Sequence, residues 1–321
     1  MIIVPEKEIS ALMTRAAAFD AVQQVFASMA AGSAYNFPVI RESIGHADAL
    51  YGFKSGFDKA ALNLGLKSGG YWPGNAAKGL TNHQSTIFLF DADSGECRAI
   101  VGGNLLTALR TAAAAAVSVA QLARQESKVL GIVGAGHQAA FQLRAVAEQR
   151  DFEKVVAWNR SSEKLAGLQK VAHELGLPFE GVSLEALGAQ SDVIVTITSS
   201  FSPILMNAHV KDGTHIACMG TDTKGKQEVE TALVARASLF SDEIVQSISI
   251  GECQHGVAEG LIEETQIREI GAVINGTVSG RRSDQDITLF DGTGVGLQDL
   301  AVASTVVDLA VKHAKAIHVD F

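Results

Sequence analysis

Gly134-Ala135-Gly136-His137-Gln138-Ala139 constrains this chain more than any other stretch. It follows the apolar run Val129-Leu130-Gly131-Ile132-Val133, which reads as a buried strand, and it opens a segment with helical spacing. Strand, glycine turn and helix in that order make the fingerprint of a dinucleotide-binding unit. Gly134 permits the tight turn, Gly136 lets the backbone approach a pyrophosphate, and Ala139 keeps the helix close to the sheet. The helix N-terminus offers free N–H groups to the phosphates. Further apolar runs at about 154–158, 192–198, 215–219 and 238–241 alternate with helical segments. Short, nearly continuous apolar strands separated by helices indicate a parallel sheet covered on both faces. The predicted fold class is therefore α/β, with a Rossmann NAD(P)-binding domain over about 122–295. The alternative is a glycine turn in a doubly wound domain that binds another ligand.

The residues before it are patterned differently. Phe19, Val22, Val25, Phe26 and Met29 place a helix over 16–31. Strand-like runs follow near 49–53, 62–67, 85–90 and 98–102, with Asp91-Ala92-Asp93-Ser94-Gly95 as a turn. An alanine-rich helix covers about 107–123. The tail, 296–318, reads as one long helix that returns to the first domain. The expected organisation is an α+β domain of 1–121 and 296–321 interrupted by the Rossmann domain.

Composition narrows the function. The net charge is −9 and no Lys/Arg run stands out, so nucleic acid is not an expected partner. An acidic protein that binds an anion must gather its cations at one place. Cys97, Cys218 and Cys253 are scattered without CxxC spacing, which fits a reducing compartment and argues against a zinc knuckle. No HExxH or GxSxG occurs, and His209, His215 and His255 lack ligand spacing, so no metal is expected. The alanine-rich stretch 111–120 is far short of the roughly 20 apolar residues of a membrane span. The N-terminus has no secretory pattern, and the cytoplasm is the expected location.

Several polar residues are candidates for chemistry. The second Rossmann strand ends in Asn159-Arg160-Ser161. An acid there selects NAD and an Arg tolerates the 2′-phosphate of NADP, so these residues lean toward NADP(H), while Asn159 can still bond a ribose hydroxyl. Lys67 ends a strand-like run beside the loop Ser68-Gly69-Gly70-Tyr71-Trp72-Pro73-Gly74-Asn75; a solvated lysine is the alternative. Arg110 lies among alanines on a helix, and a buried arginine must pair with a carboxylate or phosphate. Arg41, after Pro38, reads as a surface arginine, and His83 as a satisfied structural histidine. Asp222 follows the fourth Rossmann strand. Carboxyl ends of parallel strands point at the ligand crevice, a natural place for an acid or base. Its alternative is a loop cap.

The chain resembles the ornithine cyclodeaminase / mu-crystallin family over nearly its whole length. The resemblance rests on Leu66-Lys67, Leu106-Thr107-Ala108-Leu109-Arg110-Thr111-Ala112-Ala113, the Gly134–Ala139 turn, Gly220-Thr221-Asp222-Thr223-Lys224-Gly225-Lys226 and Gly294-Val295-Gly296-Leu297-Gln298-Asp299-Leu300. It implies a Rossmann domain and a dimerising substrate domain completed by the C-terminal helix, in a homodimer. By motif, Lys67 and Asp222 resemble the family's catalytic lysine and aspartate. Arg41 resembles its substrate-carboxylate arginine, and Arg110 an arginine shared by substrate and cofactor. His137 and Gln138 resemble pyrophosphate contacts. Met219, Gly220, Thr221 and Asp222 would line the nicotinamide, with Lys226 nearby. Asn82, Ser199 and the 292–296 loop resemble further cofactor contacts, and Asn159, Arg160 and Ser161 would flank the adenosine ribose. The stretches Ala49-Leu50-Tyr51-Gly52-Phe53-Lys54-Ser55-Gly56 and Gly69-Gly70-Tyr71-Trp72-Pro73-Gly74-Asn75 are similar to members that reduce iminosuccinate to L-aspartate with NADH, in glyoxylate assimilation. NAD(H) is thus the cofactor the resemblance implies, with a small dicarboxylate imine or amino acid as substrate. An ornithine cyclodeaminase-type lyase, another amino-acid dehydrogenase or ketimine reductase of the family, and a ligand-binding protein without turnover are the alternatives.

Overall fold

The structure is a computed structural model that describes residues 1–320. Phe321, the last residue of the segment expected to complete the first domain, lies outside the described residues. The chain forms two compact units: Met1–Arg110 together with the C-terminal segment from Val295, and Thr111–Gly294. The first boundary falls inside a helix, about two turns beyond its start, rather than after residue 121.

The first unit comprises β1 (Ile2–Val4), α1 (Glu6–Leu12), α2 (Arg15–Ala30), β2 (Ala34–Asn36), β3 (Ile40–Ser43), β4 (Leu50–Asp58), β5 (Asn63–Tyr71), β6 (His83–Phe90), β7 (Cys97–Gly102) and the start of α3 (Asn104–Leu122). The Thr14 side chain caps α2 by accepting from the Ala17 amide at 3.1 Å. The sheet order is C-terminal strand, β1, β7, β6, β5, β4, β2, with β3 also paired to β4. The C-terminal helix (Gly296–Lys312) lies against α2, β4, β5 and β6. It ends at Lys312, short of the expected 318, because the chain turns at His313 and Ile317–His318 pairs antiparallel with β1.

Side chains alternate across this sheet. On the helix side, Val4, Ile87, Leu89, Ala99 and Val101 are fully buried. On the other side Leu64, Leu66, Phe88, Phe90 and Ile100 are only half-buried, and Ile40 and Phe53 are exposed. Both faces are apolar, yet helices cover one.

The second unit continues α3 and then runs β8 (Val129–Val133), α4 (Ala139–Ala147), β9 (Lys154–Trp158), α5 (Leu165–Glu174), β10 (Phe179–Gly181), α6 (Leu184–Gln190), β11 (Val193–Thr196), β12 (Phe201–Leu205), β13 (His215–Cys218), β14 (Gln227–Val229), β15 (Ser238–Ser241), β16 (Ile267–Glu269) and β17 (Thr288–Asp291). Its main sheet has the order β10-β9-β8-β11-β13-β17-β15-β16 and is parallel throughout. The chain travels outward from β8 to β10, then returns to place β11 on the other side of β8. That reversal opens a crevice at the strands' carboxyl ends, where ligands of such sheets bind. β10, β16, β17 and the β12–β14 pair escape the sequence pattern; the first two are three-residue edge strands. α3 is 83% buried over its apolar window, as a core helix of small residues is.

Candidate active site

Lys67 does not end a strand. β5 continues through Ser68-Gly69-Gly70 to Tyr71, so Lys67 is mid-strand, in register with Lys54 on β4 and Ile87 on β6. The glycines that read as a loop belong to the sheet because the strands coil too tightly for side chains. A Cβ at Gly69 would stand 2.4 Å from the Gln84 carbonyl oxygen, and one at Gly52 1.9 Å from that of Ile40.

Lys67 faces the C-terminal helix. Its Nζ lies 2.6 Å from Asp299 Oδ2, and Arg110 Nε donates to Asp299 Oδ1 at 3.0 Å. Arg110 also donates to Gln298 Oε1 at 3.2 Å. All three charges are buried, Asp299 completely. The buried Arg110 thus finds the carboxylate that its alanine surroundings require. Burial pushes the Lys67 amine down to about 7; Asp299 opposes this, and Arg110 and Lys54 add to it. Burial also works against the Asp299 carboxylate, but Arg110 and Lys67 hold it below its ordinary range.

Arg41 lies on β3, exposed as a surface arginine is, in register with Gly52. Gly52 pairs with Gly69 and Gly69 with Ser85, so one glycine-floored row runs from Arg41 to Ser85. Lys54 and Lys67 stand on one side of this row, Tyr71 and His83 on the other. Lys67, Arg110 and Arg41 all act electrostatically on His83. Four cations and a histidine therefore gather about one part of the sheet in a chain of net charge −9. Asn82 uses its side chain inside the loop, accepting from the Ala76 amide at 2.9 Å and donating to the Tyr71 hydroxyl at 3.2 Å.

The second unit carries the glycine turn. Gly134 has φ +110°, and a Cβ there would meet the Ile197 carbonyl oxygen at 2.6 Å. Gly136 is the opposite case: a Cβ would meet nothing within 4 Å, leaving the backbone open beside the start of α4. That open backbone cradle at a helix start fits a dinucleotide's pyrophosphate. His137 is exposed and rests on Phe141, with ring centroids 5.4 Å apart. Asn159 accepts from the Ala135 amide at 3.1 Å and donates to the Ser161 carbonyl at 2.8 Å. It braces the turn with both ends of its amide, whereas Arg160 is exposed and Ser199 stands exposed after β11.

Asp222 follows β13, and Lys226 donates to its Oδ1 at 2.7 Å and to the Gly220 carbonyl at 3.2 Å. Beneath this turn lie two buried acids that the sequence pattern does not reveal. Glu228 accepts from the Thr198 amide at 2.6 Å, the Gly220 amide at 2.9 Å and the Thr196 hydroxyl at 2.7 Å. One carboxylate thereby ties together the carboxyl ends of β11 and β13. Glu252 accepts from the Glu228 and Val229 amides at 2.9 and 2.7 Å and bonds the Thr221 hydroxyl. Burial, together with their mutual repulsion, pushes Glu252 up, and burial raises Glu228 as well. Asp242 fixes the 292–294 segment by accepting from the Thr293 and Gly294 amides.

Asp299 is the residue that sequence reasoning overlooks, although it stands in a family motif. A signal is present: Gln298-Asp299 interrupts the apolar stretches Val295-Gly296-Leu297 and Leu300-Ala301-Val302 in the first turn of the helix. Such a pair is expected to meet a buried partner.

The family profile described as "Ornithine cyclodeaminase/mu-crystallin family" matches residues 2–314. The chain belongs to this family. It is 66% identical to iminosuccinate reductase of Paracoccus denitrificans over 98% of this chain and 97% of that protein. Alanine dehydrogenase of Archaeoglobus fulgidus is 32% identical over 97% and 95%. Among solved structures, the iminosuccinate reductase of Paracoccus denitrificans in complex with NAD+ superposes with a TM-score of 0.97 at 64% identity, covering 100% of this chain and 99% of that one. Delta(1)-pyrroline-2-carboxylate reductase of Thermococcus litoralis with NADH and L-proline gives 0.94 at 25% identity over 99% and 100%.

Proposed function

We propose that this protein is an NAD(H)-dependent imine reductase that converts iminosuccinate to L-aspartate. The observation that carries this reading is the gathering of Arg41, Lys54, Lys67 and Arg110 about one part of the sheet, beside the buried Asp299. A dicarboxylate suits such a cluster of cations, with bidentate contacts where arginine is used. An ornithine-like substrate would instead bring a second ammonium among these cations, and Asp299 is already bonded to Lys67 and Arg110. The near-full-length likeness to iminosuccinate reductase, and to its NAD+ complex, supports both substrate and cofactor.

When bound at the glycine turn, the reduced nicotinamide supplies the hydride that adds to the imine carbon. This chain's residues do the remainder. Arg41 and Arg110 orient the carboxylates. Lys67, balanced near neutrality, delivers the proton that the imine nitrogen takes up. Lys226 holds the Asp222 carboxylate in place as a second acid–base group. Gly134, Gly136, His137 and Gln138 hold the pyrophosphate. Met219, Gly220, Thr221 and Ser199 border the nicotinamide, and Arg160 and Ser161 the adenosine ribose, with Asn159 supporting the turn.

The uncovered apolar sheet face, with Ile40, Phe53, Leu64, Leu66, Phe88 and Phe90, supports a homodimer. An archaeal alanine dehydrogenase of similar fold is described as a dimer. Three free cysteines support a cytoplasmic location.

Absorbance of the reduced nicotinamide tests the function. The protein would be mixed with ammonium and oxaloacetate, pyruvate or glyoxylate, with NADH and NADPH in parallel. Oxidation confined to NADH with oxaloacetate supports the reading. No oxidation with any keto acid overturns it.

A further inference from the structure

His83 is not the satisfied structural histidine expected from sequence. It opens β6 opposite Tyr71, half-buried, on the sheet face that carries Lys67. Its carbonyl accepts from the Thr81 hydroxyl, but its ring forms no hydrogen bond among the described residues. Its polar neighbours are engaged: Lys67 and Arg110 share Asp299, Ser85 meets Thr107, and Tyr71 takes the Asn82 amide. Half-buried, the ring keeps its hydrogen-bonding capacity open to a ligand. Burial, Lys67, Arg110 and Arg41 together hold the imidazole neutral, with only Asp299 acting the other way. It therefore carries one N–H donor rather than another charge.

Its position gives that donor a target. His83 and Lys67 flank the Gly69–Ser85 row from opposite sides, four residues apart along the strands, or roughly 13 Å before their side chains lean inward. No side chain rises from Gly52 or Gly69 between them. Lys67 fixes the nitrogen end of a substrate. The remote end of a four-carbon diacid then falls toward the other wall.

We propose that His83 is the residue that reads the second carboxylate of the substrate, donating its ring N–H to it. This rests on the dicarboxylate reading above and adds the group that enforces it. The cations attract any carboxylate. A neutral, oriented donor distinguishes a carboxylate from a methyl group at that place, because a shorter keto-acid imine leaves the ring unpaired.

The test compares wild type, His83→Leu and His83→Gln. Two readouts are needed: kcat/KM with oxaloacetate plus ammonium against pyruvate plus ammonium, and calorimetric binding of succinate to the NAD+-loaded protein. Circular dichroism confirms that the variants are folded. His83→Leu is expected to lower oxaloacetate kcat/KM about 100-fold, chiefly through KM, the scale of a hydrogen bond to a charged group. It should weaken succinate binding similarly and leave pyruvate turnover within about threefold. Glutamine, which keeps an N–H donor, should recover about tenfold. A parallel fall with both keto acids, or an unchanged ratio, overturns the inference while wild-type turnover stands. Absence of wild-type turnover with oxaloacetate would instead remove the dicarboxylate reading, and absent succinate binding would then remove the role of His83 with it.

Discussion

Replacing Asp299 by asparagine changes one buried charge and almost no volume, so it isolates what that carboxylate does to Lys67. In the wild type, Asp299 Oδ2 stands 2.6 Å from Lys67 Nζ while Oδ1 takes Arg110. An asparagine can still offer its oxygen to Arg110, but it turns an NH2 group toward Lys67. Only a neutral amine, with a lone pair to accept, tolerates that contact. Coulomb's law at an effective dielectric of about 20 caps the lost attraction at roughly 6 kcal/mol for charges this close. Relaxation and neighbouring water reduce it, yet every 1.4 kcal/mol, roughly, moves the lysine midpoint by one on the pH scale. That midpoint, about 7 in the wild type, is therefore expected to fall to about 6 or below. Because imine reduction uses the protonated amine, the variant-to-wild-type ratio of kcat/KM should decline between pH 5.5 and 8.5, and a midpoint lowered to about 6 makes that decline about eightfold. Taking the ratio at each pH cancels the pH dependence of imine formation from keto acid and ammonium. Stability should drop by about 3 kcal/mol, the low end for breaking a buried pair, since Lys67 escapes part of the cost by losing its proton. Adding Lys67→Met should return most of it. A ratio that is flat with pH, or that rises, would refute the coupling of Asp299 to Lys67.

The two glycines of the nucleotide turn should behave oppositely. Gly136→Val meets nothing in the chain, so it should leave the melting temperature unchanged and abolish NADH binding measured by fluorescence titration. Gly134→Ala has φ +110° and a carbonyl at 2.6 Å, and should lower stability by at least about 1 kcal/mol. Glu252 is raised to about 8 and Asp291 to about 7, chiefly by burial. Carboxyls that bind protons more tightly when folded favour the folded state below their unfolded values near 4.5 and 3.8, and lose that contribution as pH rises through 7 to 8. The melting temperature should therefore decline from pH 5 to 8, and Glu252→Gln should flatten the decline. Phe53→Arg on the uncovered sheet face should shift light-scattering mass from dimer to monomer without loss of helical circular dichroism.

The Rossmann unit is legible in the sequence because its code is local: strand, glycine turn and helix follow one another, and the order reversal at β8 follows from them. The first unit is harder. Ser68-Gly69-Gly70 carries loop chemistry by composition, and only the close approach of β4 and β6 makes it a strand. The sequence pattern overextends the C-terminal helix because Ala314, with φ +53°, turns the chain with no glycine or proline to mark the stop. Lys67 and Arg110 stand out in sequence as cations in apolar or small-residue company. Asp299, 189 residues beyond Arg110, becomes visible as their partner only when the C-terminal helix is placed on the sheet. His83 shows the converse: a histidine beginning a strand has no local mark of whether its ring is satisfied.

Deuterium transfer is the most direct test of the central claim, that hydride reaches the carbon of a dicarboxylate imine. The protein would be supplied with NADH carrying deuterium at nicotinamide C4, on each face in turn, with oxaloacetate and excess ammonium, and the products resolved by mass spectrometry. L-aspartate bearing one deuterium on its α-carbon, from one face only, is the predicted result. Deuterated malate in its place would place the hydride on a carbonyl, and unlabelled aspartate would exclude hydride transfer to the imine; either would contradict the claim.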